Sequence, residues 1–309
     1  VPDHLSDAPT GVMSRAQARA AREAARGARD EDFGAGEGWP SLADQTAESD
    51  AATASSADSS AGSVASDGDG GDGRRTDWRE GGRTVRRWRE SLLAIAFVSL
   101  GVGMLAATAV RELTDSAVAD AVADALVWLA MLVPVVWGLL RSRPAGLLGF
   151  RPLDLLYGVT LGLLLRLAQG FFEAAAHGSA VFPSVVLIDG RLPVSWWLTD
   201  AVPAVVLAPV AEEMFFHGVI LVALYTVLRR PAGKTAAGMA AVLVSSGLFV
   251  VTHVVAGAAS VDTVVSLTLL GLVTGTLVAL TGRIWAAILV HAVYNLTWVA
   301  LAAVAAVLA

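Results

Sequence analysis

From Ser91 to the end of the chain, seven apolar runs follow one another: Ser91–Val110, Ala117–Leu140, Leu155–Phe172, Ala201–Leu228, Ala236–Ala256, Val264–Leu280 and Ile284–Leu308. Each is close to the ~20 residues that a helix needs to cross the hydrocarbon core of a bilayer. Lipid offers backbone N–H and C=O groups no partners, so spanning segments are helices or closed barrels. The period-2 alternation of a barrel strand series is not visible here. The chain therefore reads as an all-α, polytopic transmembrane bundle of about seven spans. Composition agrees: 55% of the 309 residues are hydrophobic and only 16% are charged, against roughly a quarter charged in soluble domains.

Most of the charge falls before residue 91. Residues 1–83 read as a disordered polar tail and residues 84–309 as the transmembrane domain. The stretch from Ala47 to Gly73 is almost entirely Ser, Ala, Asp, Gly, Thr and Glu, which bury too little apolar surface to offset chain entropy. No signal peptide is expected before the first apolar run. The absence of cysteine excludes disulfides, thiolate metal sites and a cysteine nucleophile. The tail arginines alternate with acids and no aromatic stacking platform accompanies them, so nucleic acid is not an expected partner. Membrane lipid and a peptide or protein substrate are.

Loop arginines set an expected orientation. Seven basic residues between Arg74 and Arg89 precede the first span; Arg141, Arg143 and Arg151 follow the second; Arg229, Arg230 and Lys234 follow the fourth; Arg283 follows the sixth. The alternate loops carry Glu112, Asp115, Asp189, Asp200 and Asp262. With seven spans and a cytoplasmic N-terminus, all four basic groups lie on one side, most simply of a plasma membrane. Between spans three and four, Phe182–Ile188 is a candidate re-entrant segment, and Trp196 and Trp197 read as interfacial anchors.

The informative residues are polar ones inside the apolar runs. A charge at the bilayer centre costs about 2.5–3.5 kcal/mol on insertion scales, and such residues persist where they are paired or functional. The fourth run carries Glu212, Glu213 and His217; the fifth carries His253; the seventh carries His291 and Asn295. Glu213 and His217 share a helix face, whereas Glu212 points about 100° away. Pro203 and Pro209 upstream each lack a backbone donor, which predicts a bent helix and a polar cavity. A buried polar core is the bland reading of any one of these residues. Two glutamates, three histidines and an asparagine on three spans point instead to chemistry. A carboxylate drawn out of water is a stronger base for activating a water molecule, and a histidine can share that task. An imidazole N–H and an amide suit a tetrahedral oxyanion. No HExxH and no GxSxG is present; Ser245 and Ser246 lie near His253 as a weak dyad candidate.

Three stretches, in order, resemble the motifs of the CPBP family (the Abi, or type II CAAX prenyl endopeptidase and bacteriocin-processing, family): AEEMFFHG at 211–218 is similar to EExxxR, FVVTH at 249–253 to FxxxH, and WAAILVHAVYN at 285–295 to HxxxN. The resemblance implies an intramembrane endopeptidase of glutamic or metal-dependent type. It makes Glu212 the general base acting with His253, makes His291 and Asn295 the oxyanion donors, and gives Glu213 a structural or assisting part. It leaves the cofactor open between none and Zn²⁺, the latter held by Glu212, His253 and His291. The departure is His217 where the family has Arg, a partner that is charged only when protonated; Arg166, inside the third run, is the alternative partner for Glu213. Two other functions remain open at this stage: a catalytically silent scaffold or bacteriocin-immunity protein of the same fold, and a proton-coupled transporter, for which an internal repeat would be the usual sign. A geometric tension also stands. His253 lies about 17 residues into its span and His291 only about 7, a depth difference on the order of 15 Å.

Overall fold

The structure, a computed structural model, describes residues 77–308 except 115, 180–182, 184, 186, 188–190, 258 and 259. Seven long apolar helices dominate: α1 Glu90–Leu113, α2 Ala117–Arg141, α3 Pro152–His177, α4 Val194–Leu228, α5 Gly233–Val255, α6 Val261–Thr281 and α7 Trp285–Leu308. Each is long and apolar enough to cross a membrane, and the all-α seven-span reading holds. The candidate re-entrant stretch falls mostly outside the described residues, as do residues 1–76 of the expected tail. Residues 77–83, counted with that tail, are packed: Trp78–Glu80 and Arg83–Val85 form short 3-10 turns, and Trp78 is buried.

α4 lies at the centre and is the most buried of the seven, 78% of its apolar window being inside the protein. That burial explains how its polar residues escape lipid. α1 and α2 pack as an antiparallel pair against it, α5 and α6 form a second pair, and α3 lies along α7. Small-residue faces allow close approaches, as is common between membrane helices. Gly158 and Gly162 of α3 sit on Leu289, Val290 and Val293 of α7; a Cβ on Gly162 would lie 2.8 Å from the Val290 carbonyl oxygen. Gly271 and Gly275 of α6 sit on Ser246 and Phe249 of α5 and on His217 of α4.

The depth tension is absorbed by recessing the α6–α7 turn. Phe249 is sixteen residues past the start of α5, about 24 Å, and His291 six past the start of α7, about 9 Å. Yet their ring centroids are 5.8 Å apart. By that arithmetic α7 begins about 15 Å deeper than α5. The chain fills the step beneath it with residues 77–81 and the α2–α3 connection. Trp78 Nε1 donates to the Gly282 carbonyl at 3.0 Å, and Arg79 donates to the Ala279 carbonyl at 3.1 Å and to that of Leu280. These are orphan acceptors at a helix C-terminus, where a cation is favoured. Gly282 caps α6 at φ 71°, in the left-handed region open to glycine. Ile284 N donates to Leu147 O, and Trp285 Nε1 to Leu148 O. Arg283 grips the fully buried Asp154 of α3 through Nε at 3.1 Å and Nη2 at 2.6 Å; such a fork makes burial of the carboxylate tolerable.

Candidate active site

α4 does not run as a regular α-helix. Trp197–Ala201, Pro203–Leu207 and Glu213–Ile220 are wound as π-helix, a winding that concentrates at functional sites. The prolines account for part of it. Pro203 and Pro209 donate no hydrogen bond, and the ladder shifts register, with Ala208 N donating to Pro203 O. In that i→i+5 register the partner of the Ala204 carbonyl is Pro209, which has no hydrogen to offer. Asn295 of α7 takes the place: its Nδ2 donates to Ala204 O at 2.8 Å. Asn295 is thereby oriented by a carbonyl that a proline leaves free, and its second amide hydrogen remains.

Five of the sequence-derived residues converge around this segment. Glu212 Oε2 lies 3.6 Å from His253 Nε2 and 4.0 Å from His291 Nε2. Glu213 turns the other way: His291 Nδ1 is 2.8 Å from its Oε1, and His217 Nε2 is 3.9 Å from its Oε2. The two adjacent carboxylates thus point different ways: they share His291 through its opposite nitrogens, and beyond it Glu212 meets His253 and Glu213 meets His217. Exposure separates them too. The His253 and Glu212 side chains are 28% and 10% exposed, whereas those of His291, Glu213 and His217 are 4%, 1% and 0%. Glu212 and His253 form the accessible edge, with the others behind them.

The ring nitrogens can be assigned from their partners. His253 Nδ1 is 2.8 Å from the Phe249 carbonyl oxygen; a carbonyl only accepts, so Nδ1 carries a hydrogen. Its Nε2 is then an acceptor in the neutral ring, and it faces Glu212. His291 Nδ1 likewise donates to Glu213. Glu212 Oε2 is buried without a hydrogen-bond partner between the two Nε2 atoms, a costly condition for a group that serves only packing.

Arg166 lies elsewhere. Its Nε and Nη2 donate to the Tyr294 carbonyl at 3.1 and 2.7 Å, its Nη1 donates to Gln169 Oε1 at 2.6 Å, and its guanidinium stacks 3.9 Å over the Tyr294 ring. These contacts occupy it on α7 rather than on Glu213. Tyr294 hydroxyl also bonds Gln169. Ser245 adjoins His217, not His253, with Oγ 3.2 Å from Nδ1. Sequence reasoning overlooked the Ser245–His217 contact, the glycine faces, and the ion pair between Arg111 of α1 and Asp124 of α2. The spacings GVTLG at 158–162 and GLVTG at 271–275 were signals for the second.

As for metal, a tetrahedral zinc ion about 2.0–2.1 Å from its ligands spaces them about 3.3 Å apart. The contacts from Glu212 to His253 and His291 are longer, and among the described residues no group of three or more His, Asp or Glu is arranged to hold a metal ion.

Residues 194–297 match the family model described as Type II CAAX prenyl endopeptidase Rce1-like. No curated protein and no solved structure matches the chain significantly. The matched segment runs from the start of α4 to two residues past Asn295, so it holds every convergent residue described above. An Rce1-like domain in a bundle of seven apolar helices supports a CPBP family protein, an integral membrane protein of the CAAX protease type.

Proposed function

We propose that the protein is an intramembrane endopeptidase that hydrolyses a peptide bond with water activated by Glu212 and His253. The observation that carries this reading is the unbonded Oε2 of Glu212, facing His253 Nε2 at 3.6 Å and His291 Nε2 at 4.0 Å at the accessible edge of a buried polar cluster. A water molecule about 2.8 Å from Glu212 Oε2 and from either Nε2 atom would subtend about 80–90° between them.

In this reading Glu212 takes a proton from the water as its oxygen bonds to the scissile carbonyl carbon, and His253 shares the water's second hydrogen. The carbonyl oxygen becomes an oxyanion. The second amide hydrogen of Asn295 and Nε2–H of His291, whose positive charge the Glu213 carboxylate offsets, stabilise it. Glu212 then gives its proton to the leaving amine as the C–N bond breaks. A general base contributes typically 10²–10⁴-fold and one oxyanion donor about 10²–10³-fold. Each step uses this chain's own residues and no metal ion.

The substrate is a peptide or protein segment reaching the site from the lipid, and a prenylated C-terminus is one option within the class. The basic groups at one end of the helices favour a cytoplasmic N-terminus in a plasma membrane. The test is a quenched-fluorescence peptide library presented to purified protein in lipid nanodiscs. Cleavage that requires Glu212 supports the reading. A well-folded protein that cleaves nothing in the library, prenylated peptides included, contradicts it.

A further inference from the structure

A cleft of about 600 Å³ lies between the first three turns of α5 and the last turns of α6, a size common among ligand sites. The recessed α6–α7 turn accounts for it. Gly271 and Gly275 draw α6 onto Ser246 and Phe249 of α5, but α6 then ends while α5 continues toward the basic end of the bundle. Gly238 and Val242 line the α5 wall, Leu272 and Thr276 the α6 wall, and the buried Tyr225 of α4 the floor. The lining surface is mostly apolar. A Cβ on Gly238 would meet nothing within 4 Å, so this glycine leaves space that another side chain would fill. Met239, Leu243 and Leu280 also border the cleft, and all three are exposed. Apolar and uncovered, they open it toward lipid. From Lys234 to Leu243 the α5 wall runs about 14 Å, close to half of the ~30 Å hydrocarbon core and so to the depth of one leaflet's acyl chains.

We propose that this cleft binds an anionic glycerophospholipid, with an acyl chain along α5 and the phosphate at Lys234 and Arg229. The site stands apart from the peptidase reading and does not depend on it. Charge at the polar end selects the headgroup. Arg79 is committed there, to Asp77 and to the carbonyls of Ala279 and Leu280. Lys234 is not. Its ammonium gives one hydrogen to Glu80 at 2.8 Å and has two more, and an ion pair this exposed contributes little that a phosphate would have to displace. Arg229 donates only to the Arg79 carbonyl, at 3.4 Å, and among the described residues it has no carboxylate partner. The Tyr225 hydroxyl donates to the same carbonyl, which ties the floor of the cleft to its basic mouth. Three cations thus stand against Asp77 and Glu80, and basic pockets between membrane helices attract anionic headgroups. A zwitterionic lipid fits the apolar part equally well but gains nothing from the surplus charge.

The test is native mass spectrometry of the full chain, titrated in detergent with palmitoyl-oleoyl phosphatidylglycerol or with phosphatidylcholine carrying the same two chains. Wild type should retain phosphatidylglycerol at least about fivefold more tightly than phosphatidylcholine, the worth of one basic side chain beside an anionic headgroup. The double variant Lys234→Gln/Arg229→Gln should bind the two lipids alike. Gly238→Leu should weaken both, because its side chain takes the place of the acyl chain; leucine also suits a helix better than glycine does. Met239→Trp, at an exposed position on the same wall, obstructs the cleft should Gly238→Leu fail to fold. Equal retention of the two lipids by wild type would overturn the proposal, as would a preference that survives in the double variant. Undiminished retention of phosphatidylglycerol in Gly238→Leu and Met239→Trp would place the lipid on the basic surface instead of in the cleft, and would overturn it as well.

Discussion

His291 donates from Nδ1 to Glu213 at 2.8 Å and presents Nε2 to Glu212 at 4.0 Å. Two neighbouring glutamates of one helix thus meet opposite edges of a single imidazole. One carboxylate orients the ring, and the other lies where chemistry is accessible. This division predicts unequal variants. Glu213→Gln keeps an oxygen for His291 Nδ1 but loses the charge, and should lower kcat by about 10²-fold, the loss of one oxyanion donor, with KM little changed. Glu213→Ala removes the buried carboxylate to which His291 Nδ1 donates and which His217 Nε2 faces, and should cost about 3–5 kcal/mol of stability, read as a lower thermal midpoint. Equal, small effects of both on rate and stability would contradict the division.

The seam between α3 and α7 positions His291 through glycine. A Cβ on Gly162 would lie 2.8 Å from the Val290 backbone oxygen and equally close to Val293 Cβ, so Gly162→Ala must push the helices apart. Overpacking of this kind costs about 1–3 kcal/mol. Gly170→Ala, on the same helix with open space around it, is the control and should be neutral or slightly stabilising. Thermal unfolding of both variants in one detergent checks this, and equal midpoints would argue against a tight seam.

The span series was legible from hydropathy and length, because lipid leaves the backbone little choice. The polar residues were legible from their cost in lipid, and the motif order placed them on three helices. What the sequence hid was long-range. Nothing local says that Trp78, in a stretch counted with a disordered tail, is buried under Gly282, since a single tryptophan in a polar segment has no periodicity. The depth mismatch of His253 and His291 followed from assuming level helix ends, and the recessed α6–α7 turn removes it. The choice of partner for Arg166 depended on which face of α3 meets α7, and the glycines at 158 and 162 decide that.

The turn beneath α6 should be acid-sensitive. Burial alone would raise the Asp77 carboxyl, but the side-chain and backbone hydrogen bonds from Arg79 outweigh it and hold Asp77 below its ordinary value of 3.8. A carboxyl lowered by folding stabilises the protein above its unfolded-state value, and that stability is lost as pH falls through the lower folded value. Acidification below 3.8 should therefore loosen Trp78 from Gly282, seen as a shift in tryptophan fluorescence. Asp77→Asn should lower stability at neutral pH and flatten this acid dependence. An acid dependence identical to wild type would show that the pair contributes nothing.

Metal dependence separates two chemistries for the same side chains. Hydrolysis by Glu212 and His253 alone should survive exhaustive chelation, and elemental analysis of the active protein should find zinc far below one ion per chain. Activity lost on chelation and restored by Zn²⁺ would instead assign Glu212, His253 and His291 as ligands.

The most direct test is the rate of peptide hydrolysis by Glu212→Gln beside wild type, both purified into nanodiscs and matched for thermal midpoint. Glutamine keeps the shape of Glu212 at the edge of the cluster but cannot take a proton from water. The account predicts a loss of at least about 10²–10⁴-fold, the usual contribution of a general base, with the fold unchanged. Hydrolysis by Glu212→Gln at the wild-type rate would contradict it.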